Sequence, residues 1–233
     1  MANFNLREFL IGYVVFLFST TLHEYGHAKM AARLGSRFAA DQGLATLNPV
    51  AHMKRSPFGM MAMPLLGVLM MGWMWPLGWA SVPYDARWAA QNPRKMAWMS
   101  LSGPMSNFAL ALLGIVLCKG LLSAGVFVVP QNASIDAFLL PGNGDVNSAM
   151  GAAAYALSTL MFMNVTLGIF NILPVPPLDG AGVVEGLFPK QTGPLFEKIN
   201  STPIIGMVLF LLVFNFAWKL IQPALIAVAR FVM

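Results

Sequence analysis

Apolar residues fall in long blocks separated by short polar stretches, and blocks of this length predict membrane-spanning helices. The first runs from Phe9 to Ala32 and predicts a span over about residues 7–34, stopped by Gly35 with Arg33 and Arg37 beside it. Lys95 to Val129, Ser148 to Leu173 and Thr202 to Arg230 predict three more, over about 95–129, 148–173 and 202–230. A fifth apolar stretch, Pro57 to Gly78, is broken by Gly59, Pro64, Gly67, Gly72 and Pro76, and Trp73, Trp75 and Trp79 mark an interface near its end. It predicts a segment that enters the membrane and returns. Phe38–Ala40 and Leu44–Leu47 flank Asp41-Gln42-Gly43 and predict a short β-hairpin ending at Asn48-Pro49, although a plain connecting loop fits equally. The expected fold is all-α and polytopic: about four transmembrane helices, a re-entrant segment and a small hairpin near the polar site described next. All of it belongs to a single membrane-embedded domain, 1–233.

Composition supports this reading. The chain is 58% hydrophobic and 10% charged, where soluble chains carry about 25% charged residues. The net charge of +5 comes without Lys/Arg runs, so nucleic acid is not an expected partner. The basic residues cluster between apolar blocks, in Arg33 to Arg55 and Arg87 to Lys95, which points to the cytoplasmic side; Pro130 to Asn147 holds Asp136 and Asp145 but no Lys or Arg and suits the opposite side. Arg7 ahead of Phe9 to Phe18 resembles a signal peptide, but no small-residue cleavage site follows, so an uncleaved first span is expected. The single Cys118 excludes an intramolecular disulfide and a Cys-rich zinc site.

Polar chemistry inside the first span changes the picture. His23-Glu24-Tyr25-Gly26-His27 places two imidazoles one helical turn apart on one face, with Glu24 beside the open position of a Zn²⁺ they could share. In hydrocarbon such groups are expensive and mark function. A third ligand is needed. After Ser148–Leu173 the run Asn171-Ile172-Leu173-Pro174-Val175-Pro176-Pro177-Leu178-Asp179-Gly180 unwinds the helix, because proline cannot continue it. Asp179 is the candidate there, a plain turn at Asp179-Gly180 being the alternative. For His23, His27 and Asp179 to share one metal, their two helices must cross in the same direction, so an odd number of crossings separates them. Lys95–Val129 supplies one, which is why Pro57–Gly78 is expected to return, with the N-terminus outside and the metal toward the cytoplasm. His52, the last of three histidines, is a candidate for a supporting or substrate-binding role; Leu44 and Thr46, on the expected strand edge, are candidates for pairing with an extended substrate.

These motifs resemble the site-2 proteases, intramembrane zinc metalloproteases, and in particular compact bacterial and archaeal-type members without a PDZ or CBS domain. The resemblance covers nearly the whole chain, through Leu47-Asn48-Pro49-Val50-Ala51-His52, Gly78-Trp79-Ala80, Val82-Pro83, Ser102-Gly103-Pro104 and the Asn-x-x-Pro-x-Pro-x-x-Asp-Gly run. It implies one catalytic Zn²⁺ on His23, His27 and Asp179, with Glu24 as general base and Asn171 holding or polarising the scissile carbonyl. It further implies transmembrane protein substrates and a place in the bacterial inner membrane, multi-pass, with the site toward the cytoplasm. The chain departs from the family at Lys54, where relatives tend to carry an acid, and at Ser81, where they often carry Lys. The competing class is a zinc-binding membrane protein without hydrolysis, a pseudoprotease chaperone or a metal transporter. An intact Glu24 argues against the first, and the scarcity of histidines against the second.

Overall fold

The structure, a computed structural model, describes residues 5–71, 78–131, 133 and 138–233. Helix α1 (Leu6–Arg33) starts where the Asn5 side chain accepts from the Arg7 and Glu8 amides. It ends at Gly35, whose φ of 106° lets Ser36 N–H reach Ala31 O and Gly35 N–H reach Ala32 O. Its 28 residues extend about 42 Å. Leu6, Leu10, Val14 and Phe18, four apart, are each more than half exposed and form an outward apolar stripe.

The expected hairpin at 38–47 is not there. Phe38–Asp41 is a short helix, α2, and Gly43 (φ 75°) closes it: Leu44 N–H bonds to Ala39 O and Gly43 N–H to Ala40 O. Glycine after a short apolar run signals a hairpin turn and a helix stop alike, and the backbone took the second option. The Leu44 side chain is buried beside Ala28 and Ala39. Thr46 Oγ1 accepts from Asn48 N–H, and the Asn48 side chain caps α3 (Pro49–Arg55). Among the described residues the strand pair is β1 (Phe127–Val128) with β2 (Leu140–Pro141), antiparallel and just after the long helix that ends at Ser123.

A π-helical turn, Phe58–Ala62, leads into α4 (Met63–Met71). Trp73 and Trp75 lie outside the described residues. Trp79 N–H returns to Gly59 O at 3.2 Å, so the two ends of the broken apolar stretch meet. Tyr13 Oη donates to Met60 O at 2.9 Å and ties this point to α1. Helix α5 (Ala86–Gln91), capped by Asp85, precedes α6 (Pro93–Ser123), which carries Pro104 inside it and ends short of the expected residue 129. Helix α7 (Ala149–Asn171) begins at a Ser148 cap. The Arg7 guanidinium donates to the carbonyls of Val146 and Ser148, joining the starts of α1 and α7. These helices therefore run the same way, as one shared metal requires, and α6 runs against them. Helices α8 (Asp179–Leu187), α9 (Pro189–Ser201) and α10 (Pro203–Val232) complete the chain.

The main apolar core joins α6, α7, α10 and the strand pair, with Phe162, Met161, Cys118 and Leu225 fully enclosed. Among the described residues three stretches are long and apolar enough to cross a membrane: Pro93–Ser123, Ala149–Asn171 and Leu212–Val232. Helix α1 has the length, but Ser19, Thr20, Thr21, His23, Glu24 and His27 dilute its apolar character. The all-α polytopic expectation holds.

Candidate metal centre

His23 and His27 sit one turn apart on α1, with their Nε2 atoms 3.1 Å from each other. Asp179, the first residue of α8, meets them from the opposite side: Oδ2 is 2.9 Å from His23 Nε2 and Oδ1 is 3.2 Å from His27 Nε2. Zinc bonds of about 2.0–2.1 Å place tetrahedral ligand atoms about 3.3 Å apart. The three side chains stand at that spacing although they come from distant parts of the chain.

The other ring nitrogens settle what the facing atoms are. His27 Nδ1 lies 2.8 Å from Met99 O, which can only accept, so Nδ1 carries the hydrogen and, in the neutral ring, Nε2 presents its lone pair. His23 Nδ1 lies 2.6 Å from Asn107 Oδ1, with the same consequence. Two lone pairs and a carboxylate then converge. Asp179 Oδ2 and Glu24 Oε2 are both buried without a hydrogen-bond donor. Such a cluster is unfavourable alone and suits a divalent cation; bonds from Nδ1 to carbonyl or amide oxygens are how metal-ligating histidines are oriented. The donor set of two imidazoles and one carboxylate is that of an open catalytic zinc site.

Helix α6 backs the cluster at Gly103. A Cβ built there would crowd His27 Nε2 and come within 2.6 Å of His23 Nε2. The same face of α6 packs on Gly26 of α1, where a Cβ would lie 2.6 Å from Ser106 Oγ. Small residues at Ser102-Gly103 thus let the helices approach.

The remaining candidates are placed differently. Glu24 is buried between the histidines, 4% exposed. Asn171 ends α7, and its Nδ2 donates to Leu167 O at 3.0 Å, so it bonds within its own helix and not to the three ligands. His52 is buried, and its Nε2 pairs with Thr46 O at 3.0 Å, pinning the loop after α2. With Leu44 in the core and the Thr46 carbonyl occupied, the expected open strand edge is absent. Asn107, Asn164 and the Met99 carbonyl were not anticipated. The available signal for the first two was an amide side chain within an apolar span.

Comparison with known proteins finds relatives named as zinc metalloproteases. The model of peptidase family M50 matches residues 11–214. A Bacillus subtilis protein named "Putative zinc metalloprotease YwhC" is 28% identical over 90% of this chain and 81% of its own length. Two proteins named "Putative zinc metalloprotease Rip2" are each 29% identical: that of Mycolicibacterium smegmatis over 76% of this chain, that of Mycobacterium tuberculosis over 84%. The matched regions span 57% and 64% of those two relatives. No solved structure matches the chain.

Proposed function

The chain belongs to peptidase family M50, and from that premise and the His23–His27–Asp179 geometry we propose that it is an intramembrane zinc metalloprotease. It hydrolyses peptide bonds within or next to transmembrane helices of other proteins. The observation that carries this reading is the convergence of ligand atoms from His23, His27 and Asp179, with Glu24 buried between the two histidines along α1. His23, His27 and Asp179 hold the zinc, and bound zinc supplies Lewis-acid polarisation of the scissile carbonyl and a water acidified to a pKa of about 7. Glu24 takes the proton of the attacking water and delivers it to the leaving amine. Asn171 releases Leu167 O and turns its amide to the developing oxyanion. A helical substrate hides its carbonyls in hydrogen bonds, so segments weakened by Gly or Pro are preferred.

Four helices cross the bilayer in this proposal: α1, α6, α7 and α10. A 57–78 stretch that returns to the side it left is supported by the meeting of Gly59 and Trp79 near Tyr13 and Phe16, roughly 10–15 Å along α1 from His23. The basic stretches flanking it put the site toward the cytoplasm of a bacterial inner membrane. A cysteine introduced at Ser81 or Ala86 is expected to label from the cytoplasmic side in inverted vesicles and not in intact cells; Cys118 is fully buried and leaves a low background. Labelling from outside would overturn the orientation.

The function itself is tested by reconstituting the purified protein in liposomes with candidate single-span substrates. Cleavage is expected, lost on chelation and restored by one equivalent of zinc. A zinc-loaded, folded protein that cuts none of them, including helices carrying Gly or Pro, would favour the non-hydrolytic reading.

A further inference from the structure

We propose that Asn107 and Asn164 are positioning residues that set the tautomer of His23 through a directed chain of hydrogen bonds across three helices. The proposal rests on the reading of His23 as a zinc ligand and adds how that ligand is prepared.

The chain runs from α7 to α1 through α6. Leu160 O can only accept, and Asn164 Nδ2 donates to it at 2.8 Å. The second Nδ2 hydrogen goes to Ser19 Oγ on α1, also at 2.8 Å. Both hydrogens of Asn164 are then committed, so its Oδ1 faces Asn107, whose Nδ2 donates to it at 2.8 Å. Asn107 is left with its oxygen toward His23 Nδ1 at 2.6 Å. An amide oxygen cannot donate, so Nδ1 holds the hydrogen, and the neutral ring has Nε2 free for the metal. A backbone carbonyl on α7 thus fixes the polarity of every link. Reversing either amide would set oxygen against oxygen.

Burial makes this polarity strict. Asn107, Asn164 and Ser19 are all 0% exposed, within helices long enough to span a membrane. No water is at hand there to repair a reversed amide, and an unpaired group costs about 1–3 kcal/mol. Ser19 precedes His23 by one turn on the same face, so the network leaves α1 at His23 and returns at Ser19. It therefore holds the imidazole and the helix that carries it. Interhelical amide bonds also serve as plain packing glue in membrane helices. Glue would not depend on which end of Asn107 is an acceptor, and that difference is testable without proteolysis.

The test uses the full-length protein in detergent. Zinc affinity is measured by competition with a chromophoric chelator, and cobalt replaces zinc so that its visible d–d absorption reports the ligand geometry. Asn107→Leu is expected to weaken zinc binding by about 10–100-fold, the usual effect of losing an outer partner of a ligand, and to alter the cobalt spectrum. Asn107→Asp presents an oxygen to Nδ1 in either protonation state and is expected to keep near wild-type affinity and spectrum. Asn164→Leu frees Asn107 to turn over and is expected to give an intermediate loss. Wild-type affinity and spectrum in folded Asn107→Leu and Asn164→Leu would overturn the proposal, as would equal loss in Asn107→Asp and Asn107→Leu. If Asn107→Leu does not fold, the other two variants decide. A wild-type protein that binds neither metal would instead refute the zinc reading on which the proposal rests.

Discussion

Replacing Glu24 by Gln is expected to leave zinc content at the wild-type level while cleavage falls by roughly 10²–10⁴-fold, the usual contribution of a positioned proton-transfer group. The expectation follows from where the carboxylate stands. Glu24 lies between the two histidines along α1, is almost fully buried, and has an oxygen with no hydrogen-bond donor. It is not among the three groups whose ligand atoms converge, so removing its charge leaves the ligand set intact. Gln has the same shape but cannot accept a proton. Asp179→Ala is the contrasting case. Among the described residues Asp179 is the only candidate ligand from outside α1, and its loss leaves two facing Nε2 atoms 3.1 Å apart. That variant is expected to lose zinc and cleavage together. Metal analysis beside a cleavage assay separates the two outcomes. Equal cleavage by Glu24→Gln and wild type would remove Glu24 from the mechanism.

The second large effect is expected from one methyl group. Gly103→Ala puts a Cβ against the Nε2 atoms of both histidines. Relief requires α6 to move away from α1, but the same face is held by the Gly26 contact and by the bond from His27 Nδ1 to Met99 O. Overpacking of this kind costs about 1–3 kcal/mol. The functional loss is expected to be larger in proportion, since displacing reacting groups by about 1 Å can cost about 10²-fold in rate. Zinc stoichiometry, thermal stability and cleavage are the three readouts. Alanine at Gly120, where a Cβ meets nothing within 4 Å, serves as control in the same helix and is expected to be silent. Wild-type zinc content and activity in Gly103→Ala would show that the helices are farther apart in the working protein.

The sequence by itself determined the parts that depend on near neighbours. Apolar blocks announce helices because their length matches the bilayer, and the 3.6-residue turn puts His23 and His27 on one face wherever α1 lies. Glu24 follows from the same turn. Prolines after Asn171 announce an unwound stretch for the same local reason. Asp179 was reachable because few acidic residues compete and because parity allowed only certain crossings. Signals with two local meanings were not decidable. Gly43 closes a hairpin or a helix with the same φ, and only the burial of Leu44 against Ala28 and Ala39 selects the helix. The tertiary structure alone decided which face of α6 meets the histidines. With that choice come Gly103 against the two Nε2 atoms, the Met99 carbonyl and Asn107 on the two Nδ1 atoms, and Asn164 behind Asn107. These contacts join residues far apart in the chain, and helical periodicity within one segment carries no information about the rotation of its neighbour.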